Sequence, residues 1–512
     1  NFDDTSDRTD TVTSGQHGSL RTVFLARGRE ARSDLPTEIH RLLEIVSEVE
    51  GLVGHDSLDI EFAFTHDGTG HILQVRPIAV AHREMPIDDE KISACIDGAI
   101  DVYRERQRPS PFLVGDSTIF SVMADWNPAE MIGTKPNKLA RSLYKHLITD
   151  ESWAKQRAEY GYRDVRPCNL IVDFVGHPFI DVRVDFNSFI PASLDEDLAS
   201  RLVNHYMERL RDKPSLHDKV EFDILLTCLA FDFNQRAEEL YRAGFSDSDV
   251  RQVHDSLNRI TRAGIARCAA DVAEIETLNR RFNAIMSHPS LPLERAYCLF
   301  EDVRRLGIPL FSHLARHGFV AVALLNSLVA ADVIAATDRD AFLSSIRTVS
   351  QTMQDDAGKV LAGECTWEAF VARYGHLRPG SYDISSQNYA SAPDIYLRPM
   401  LDQPQTQDFD QVNGWDESTR RAVDAALREL DLCSSVGELE VFLRNGIQGR
   451  ELGKFTFMRN VDAGLESLAE FGMQQGLSRD DLKHLAISEF YEFRGVVAND
   501  LGERLREMSH RG

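Results

Sequence analysis

Four polar residues at alternating positions in two neighbouring stretches offer the first chemistry. Asp59 and Glu61 lie in DIEFAF, residues 59–64, and Gln74 and Arg76 lie in HILQVR, residues 71–76. Asp67-Gly68 between them predicts a tight turn, because glycine accepts positive φ, so the two stretches are expected to form a β-hairpin. Side chains alternate faces along a strand. One face is then expected to hold Ile60, Phe62 and Phe64, joined across the pair by Leu73 and Val75. The other holds Asp59, Glu61, Gln74 and Arg76. Carboxylate and amide oxygens are hard ligands suited to Mg²⁺, and a guanidinium pairs bidentately with phosphate. This face has the ingredients of a metal–phosphate platform. The same pattern describes a surface hairpin with solvated charges, and the residues by themselves leave both readings open.

A second set lies in FVARYGHLRPGSYDISSQNYASAPDIYLRPM, residues 370–400. Gly375, Pro379 and Gly380 break the surrounding helical pattern, and the break carries His376, Arg378, Tyr382, Asp383, Ser385, Gln387 and Asn388. Long irregular segments inside compact domains are commonly either functional or disordered. An arginine and a histidine on such a loop could clamp a phosphoryl group or orient an acceptor hydroxyl. A histidine in a helix-rich protein also serves as a structural hydrogen-bond partner.

The elements that must position these residues are legible as periodicities. Residues 36–52 predict a helix with a broad apolar stripe of Ile39, Leu42, Leu43, Ile45, Val46, Val49 and Leu52, leading directly into the hairpin. A helix is expected over 91–106. Strands are expected over 117–123, 170–174 and 179–186, the last reading FIDVRVDF. Helical periodicity follows over 195–212, 218–243, 246–286, 292–303, 308–335 and 339–356. The run 319–336 is apolar nearly all round and predicts a buried central helix. Further helices are expected over 416–432, 434–445, 450–475, 478–487 and 494–508, with Ser478 and Asp481 as an N-cap signal. The expected fold class is α+β, predominantly α-helical. The expected domains are 1–84, an 85–115 linker, an α/β module over 116–195 and a helical domain over 196–512.

Across its 512 residues the chain is 43% hydrophobic and 27% charged, with a formal net charge of −24. That balance argues against sequence-independent binding to nucleic acid or to an anionic membrane, while leaving room for a local basic pocket. Seven scattered cysteines without a Cys-x-x-Cys pair predict neither a zinc site nor a disulfide framework, and make a reducing cytoplasm the default. No apolar run approaches a membrane span, and no signal peptide is visible. The text opens at Asn1 as if inside a domain.

The hairpin residues Asp59, Glu61 and Phe62, followed by Leu73, Gln74, Arg76 and Pro77, resemble the D-x-E-F and L-Q-x-R-P strands that close the ATP-grasp domain of phosphoenolpyruvate synthase, pyruvate phosphate dikinase and rifampicin phosphotransferase. Arg373, Tyr374, Gly375, His376, Pro379, Gly380 and Asp383 resemble the R-[YF]-G-H-x-x-P-G-x-x-[DE] signature in the acceptor domain of the rifampicin phosphotransferase type. The resemblance implies a partial ATP-grasp lobe, a small α/β module and a large helical acceptor domain. It implies that Glu61 and Gln74 hold Mg²⁺ against the phosphates of ATP, that Asp59 and Arg76 complete the nucleotide-binding set with Arg76 on the phosphate tail, and that His376 and Arg378 serve the acceptor side. Thr11 to Gly15 would lie near the nucleotide, and Asp125, Asn127, Glu130 and Arg141 are candidates to face an acceptor cleft or to cap helices and turns.

Such phosphotransferases also use a swivelling domain with a phosphorylated histidine. No Gly-rich histidine motif of that kind occurs here, and His17 in GQHGS belongs to the ATP-grasp segment. The phosphohistidine domain and the first half of the nucleotide domain are therefore expected outside this chain. The middle of the chain lacks the strand–helix alternation of a TIM barrel, which favours the helix-rich acceptor type. The implied function is ATP-dependent phosphoryl transfer to a small-molecule acceptor. The competing expectations are a non-catalytic helical binding or scaffold module with a degenerate ATP-grasp remnant, and a direct kinase without phosphohistidine.

Overall fold

A computed structural model of the chain describes residues 23, 25, 35, 37–54, 58–65, 67–77, 89–122, 126–217, 223–401, 415–495 and 501–511. Thr11 to Gly15, His17 and Asp125 lie outside the described residues. The chain divides into two compact units, Asn1–Glu105 and Arg106–Gly512. It is α+β and predominantly helical, with two small sheets among the described residues.

In the first unit, helix α1 (Thr37–Val53) precedes the antiparallel strands β1 (Leu58–Phe64) and β2 (Gly70–Pro77), and helix α2 (Asp89–Arg106) comes after them. The hairpin forms because its turn is closed locally. Gly68 N–H donates to the Thr65 carbonyl at 2.8 Å, and Thr65 N–H to the Thr69 carbonyl at 3.0 Å. The Asp67 carboxylate accepts from Thr65 Oγ1 at 2.6 Å and from Thr69 N–H at 3.0 Å. These bonds hold the Asp67 carboxyl down at about 2, below the ordinary carboxylate value. Helix α1 docks on the turn: Arg41 Nη1 donates to the Gly68 carbonyl at 2.7 Å, and the Ile45 side chain lies against Gly70.

The apolar face differs from expectation at one residue. Register runs Ile60–Val75 and Glu61–Gln74, then shifts to Phe62–Ile72. Leu73 is the extra residue of a β-bulge, and it is 65% exposed. An inserted residue breaks the alternation beyond it, so Ile72 stands opposite Phe62 in place of Leu73.

In the second unit, β3 (Phe120–Ser121), β4 (Ile171–Phe174) and β5 (His177–Asp181) form an antiparallel sheet in the order β3-β5-β4. The strand expected to run to residue 186 stops at Asp181. Val182–Asn187 is a short helix, with the Asp181 carboxylate accepting from Val184 N–H at 3.3 Å as its N-cap. All six residues of that helix are buried, polar and apolar alike, so the alternation in their sequence does not mark an inner and an outer face. The sheet has no separate core. Leu170, Ile171 and Ile180 share one hydrophobic cluster with Leu278, Phe300, Phe457 and Leu465 from distant helices.

The helices that carry or enclose the polar clusters of this unit are α3 (Ser152–Tyr160), α4 (Glu196–Asp212), α5 (Phe233–Arg242), α6 (Asp247–Ser287), α7 (Pro292–Asp302), α8 (Ile308–Ala330) and α9 (Val436–Gln474). A π-turn over Val303–Gly307 joins α7 to α8 without a break. Pro309, which has no N–H to donate, comes two residues after its end, so the ordinary helical ladder is interrupted there. The joined helix is long and apolar enough to cross a membrane, but 72% of its most apolar window is buried inside the protein, so it is a core helix. The helix expected over 339–356 is two, Ala336–Ser344 and Val349–Leu361.

Two helices expected at 434–445 and 450–475 are one continuous α9 of 39 residues. The glycines at this point are contact positions: a Cβ on Gly446 would sit 2.8 Å from the His317 carbonyl oxygen, and one on Gly318 3.0 Å from the Gly446 carbonyl. Helices α8 and α9 cross there backbone to backbone.

Of the helix expected over 218–243, residues 218–222 lie outside the described residues, 223–232 are irregular, and α5 begins only at Phe233. Residues 224–230, ILLTCLA, are all buried. The segment takes no regular path, and its backbone is satisfied by side chains. Arg209 donates to the Ile224 and Asp223 carbonyls, Arg236 to Leu225 and Tyr162 Oη to Thr227, while Leu229 N–H donates to Thr261 Oγ1 and Phe231 N–H to Ser327 Oγ.

All seven cysteines are free thiols, as expected from their scatter.

Candidate functional site

The hairpin brings its four polar candidates together on one face. Asp59 stands directly opposite Arg76, and Glu61 directly opposite Gln74. Arg76 donates through Nε to Asp59 Oδ2 at 2.8 Å, and its Nη2 lies 2.8 Å from the same oxygen. Their side chains remain 59% and 47% exposed, so this pair sits at the water boundary. The Asp59 carboxylate raises the Arg76 pKa further above its already high value, which keeps the cation charged at any working pH. Gln74 is exposed and Glu61 half-buried. Two oxygen-bearing side chains in register, beside a guanidinium oriented by its own carboxylate, can present hard ligands and a cation to one phosphate chain. Among the described residues no group of three or more His, Cys, Asp or Glu side chains converges as a metal site. Mg²⁺ commonly relies on one or two protein carboxylates plus substrate phosphates and water, so a two-ligand platform fits that ion when a nucleotide supplies the rest.

The second candidate set is built differently. Helix Trp367–Tyr374 ends at Gly375, and the loop beyond it folds back on itself: Tyr389 N–H donates to the Leu377 carbonyl and Ala390 N–H to the Gly375 carbonyl. Arg378 stands at its centre with its side chain 2% exposed. Nε and Nη2 donate to Asp462 Oδ1 at 3.1 and 2.6 Å, and Nη2 also to Glu466 Oε1 at 2.6 Å. Nη1 donates to the Asp383 and Ser386 carbonyls, each at 3.0 Å. The donors of the guanidinium fork are all committed to partners within the chain. Asn388 donates to both Asp462 oxygens, and Arg479 ties Glu466 to the Ile384 carbonyl. Burial pushes the Asp462 carboxyl above its ordinary range despite the adjoining guanidinium.

His376 is also enclosed. Its Nε2 lies 3.1 Å from the Phe455 carbonyl oxygen, and its ring meets Phe455 edge-on with centroids 4.4 Å apart. Burial, with the nearby Arg459 cation, pushes it down to about 4, so it is neutral at neutral pH. Arg373 and Tyr374 both bond Asp356, at 2.7 and 2.8 Å. Asp383 accepts from Asn137 Nδ2 at 2.9 Å, which links the loop to the helix that Asn137 caps. The signature residues therefore build a braced loop on α9, and neither His376 nor Arg378 offers a free polar group on a surface. Of the other polar candidates, Asn127 caps the helix Pro128–Ile132 and Arg141 lies 3.8 Å from Asp173.

A third polar cluster has no counterpart among the expected sites. On α8, His313 and His317 are one turn apart and buried. His317 Nε2 lies 2.8 Å from Asp271 Oδ2 and its Nδ1 3.1 Å from Tyr160 Oη. His313 bonds Gln156 at 3.1 Å and Glu159 at 3.3 Å. Arg267 closes the chain with two bonds to Asp271. A Cβ on Gly264 would fall 2.3 Å from Tyr160 Oη, so glycine there makes room for the phenol. Burial lowers both histidines, His313 to about 4, which keeps them neutral as hydrogen-bond partners among α3, α6 and α8. The spacing of His313 and His317 is a visible signal in the sequence; their partners, up to 157 residues away, are not.

No family model matches the chain, and no curated protein matches it.

Proposed function

We propose that the chain is the nucleotide-platform and acceptor-domain portion of an ATP-dependent phosphotransferase of the dikinase type. Phosphoryl would pass from ATP to a small-molecule acceptor by way of a phosphohistidine domain outside this chain, in the cytoplasm. The observation that carries the reading is the cross-strand pairing of Asp59 with Arg76 and of Glu61 with Gln74 on one open face. Glu61 and Gln74 would hold Mg²⁺, which when bound would offset the charge of the phosphates. Arg76, aimed by Asp59, would meet the phosphate tail. Phosphoryl transfer depends mainly on positioning and charge neutralisation, which these residue types supply. His376 and Arg378 enter as positioning residues, because His376 Nε2 bonds α9 and the Arg378 donors are spent on α9 and on the loop's own carbonyls.

The test is isothermal titration of the longest natural chain with Mg·ATP, together with trapping of acid-labile phosphohistidine. Saturable binding that Glu61→Ala and Arg76→Ala each weaken supports the reading. Binding unchanged in both variants removes the platform, and a folded protein that binds no nucleotide favours the scaffold alternative. Binding and transfer without a trapped phosphohistidine favour a direct kinase.

A further inference from the structure

We draw no further inference here: the strongest candidate, the apolar stripe of Ile92, Cys95, Ile100 and Tyr103 left exposed on helix α2 of the first unit, carries nothing because nothing in the structure shows what covers it.

Discussion

The hairpin of the first unit and the Arg378 loop of the second use the same side chains, carboxylates, an amide and a guanidinium, to opposite ends. On the hairpin, Arg76 and Asp59 pair across two strands with about half of each side chain in water. On the loop, Arg378 and Asp462 pair with 2% and 10% exposed, and Asn388 and Glu466 complete the set. An exposed pair contributes little to stability because water and salt screen it, but a ligand can reach it. A buried guanidinium with every donor committed holds its neighbours strongly and has nothing left for a phosphate. Residue type proposes the chemistry at both places, and solvent access separates a binding face from a brace.

That contrast can be broken by experiment. Arg378→Ala would leave the buried Asp462 carboxylate without its cation, so it is expected to destabilise the second unit by about 3–5 kcal/mol, the scale for breaking a buried pair from one side. Thermal unfolding by circular dichroism measures it, and a melting temperature close to that of the parent chain would mean the loop is not braced as described. Gly446→Val would drive a side chain against the His317 carbonyl where α8 and α9 cross, at an expected cost of about 1–3 kcal/mol or more. A tolerated valine would show that the two backbones stand further apart.

The pH dependence is the next effect in size. His376 and His313 are both held down at about 4 in the folded chain, below an unfolded value of about 6.5. Between those values the unfolded chain binds more protons, so the stability gained from keeping these rings neutral is present above about pH 6.5 and lost as pH falls toward about 4. Melting temperature measured across that window should drop on acidification, and His376→Gln should flatten the drop. A variant with the parent's pH profile would show that His376 binds its proton equally in the folded and unfolded chain.

The smallest expected stability change belongs to the hairpin. Arg76→Ala and Asp59→Ala are expected to leave the melting temperature where it was, since the pair they remove is exposed. On the proposed function, Arg76→Ala nevertheless weakens Mg·ATP binding by about tenfold or more, because a charge-assisted phosphate contact is lost. A large loss of stability without loss of nucleotide affinity would place the hairpin with the structural braces and reverse the comparison.

Much of the fold is legible in local patterns. The extent of α1, the Asp67-Gly68 turn, the polar face of the hairpin, the Ser478 cap and the helical second unit all come from periodicity and turn chemistry, although Leu43 and Leu52 of the expected α1 stripe are exposed. The exceptions share a cause. Leu73 leaves the apolar face because a bulge inserts one residue without a sequence mark. Val182–Asn187 has the alternation of a strand with one buried face, but every residue of it is inside. The 224–230 run has the apolar content of a core helix, but remote side chains satisfy its backbone in an irregular path. The continuity of α9 through Gly446 is not legible because the neighbour that requires glycine there, His317, is 129 positions away in the chain.

By itself the sequence determined which polar residues of the hairpin share a face, since alternation and a tight turn act within a few residues of one another. It also determined the predominance of helices. Only the tertiary structure decided that Arg378 is spent on Asp462 and Glu466, and that His313 and His317 meet the Glu159 and Asp271 carboxylates. Those outcomes depend on burial and on partners from other elements of the fold, and the cost of an unpaired buried charge, not the residue's own propensity, sets them.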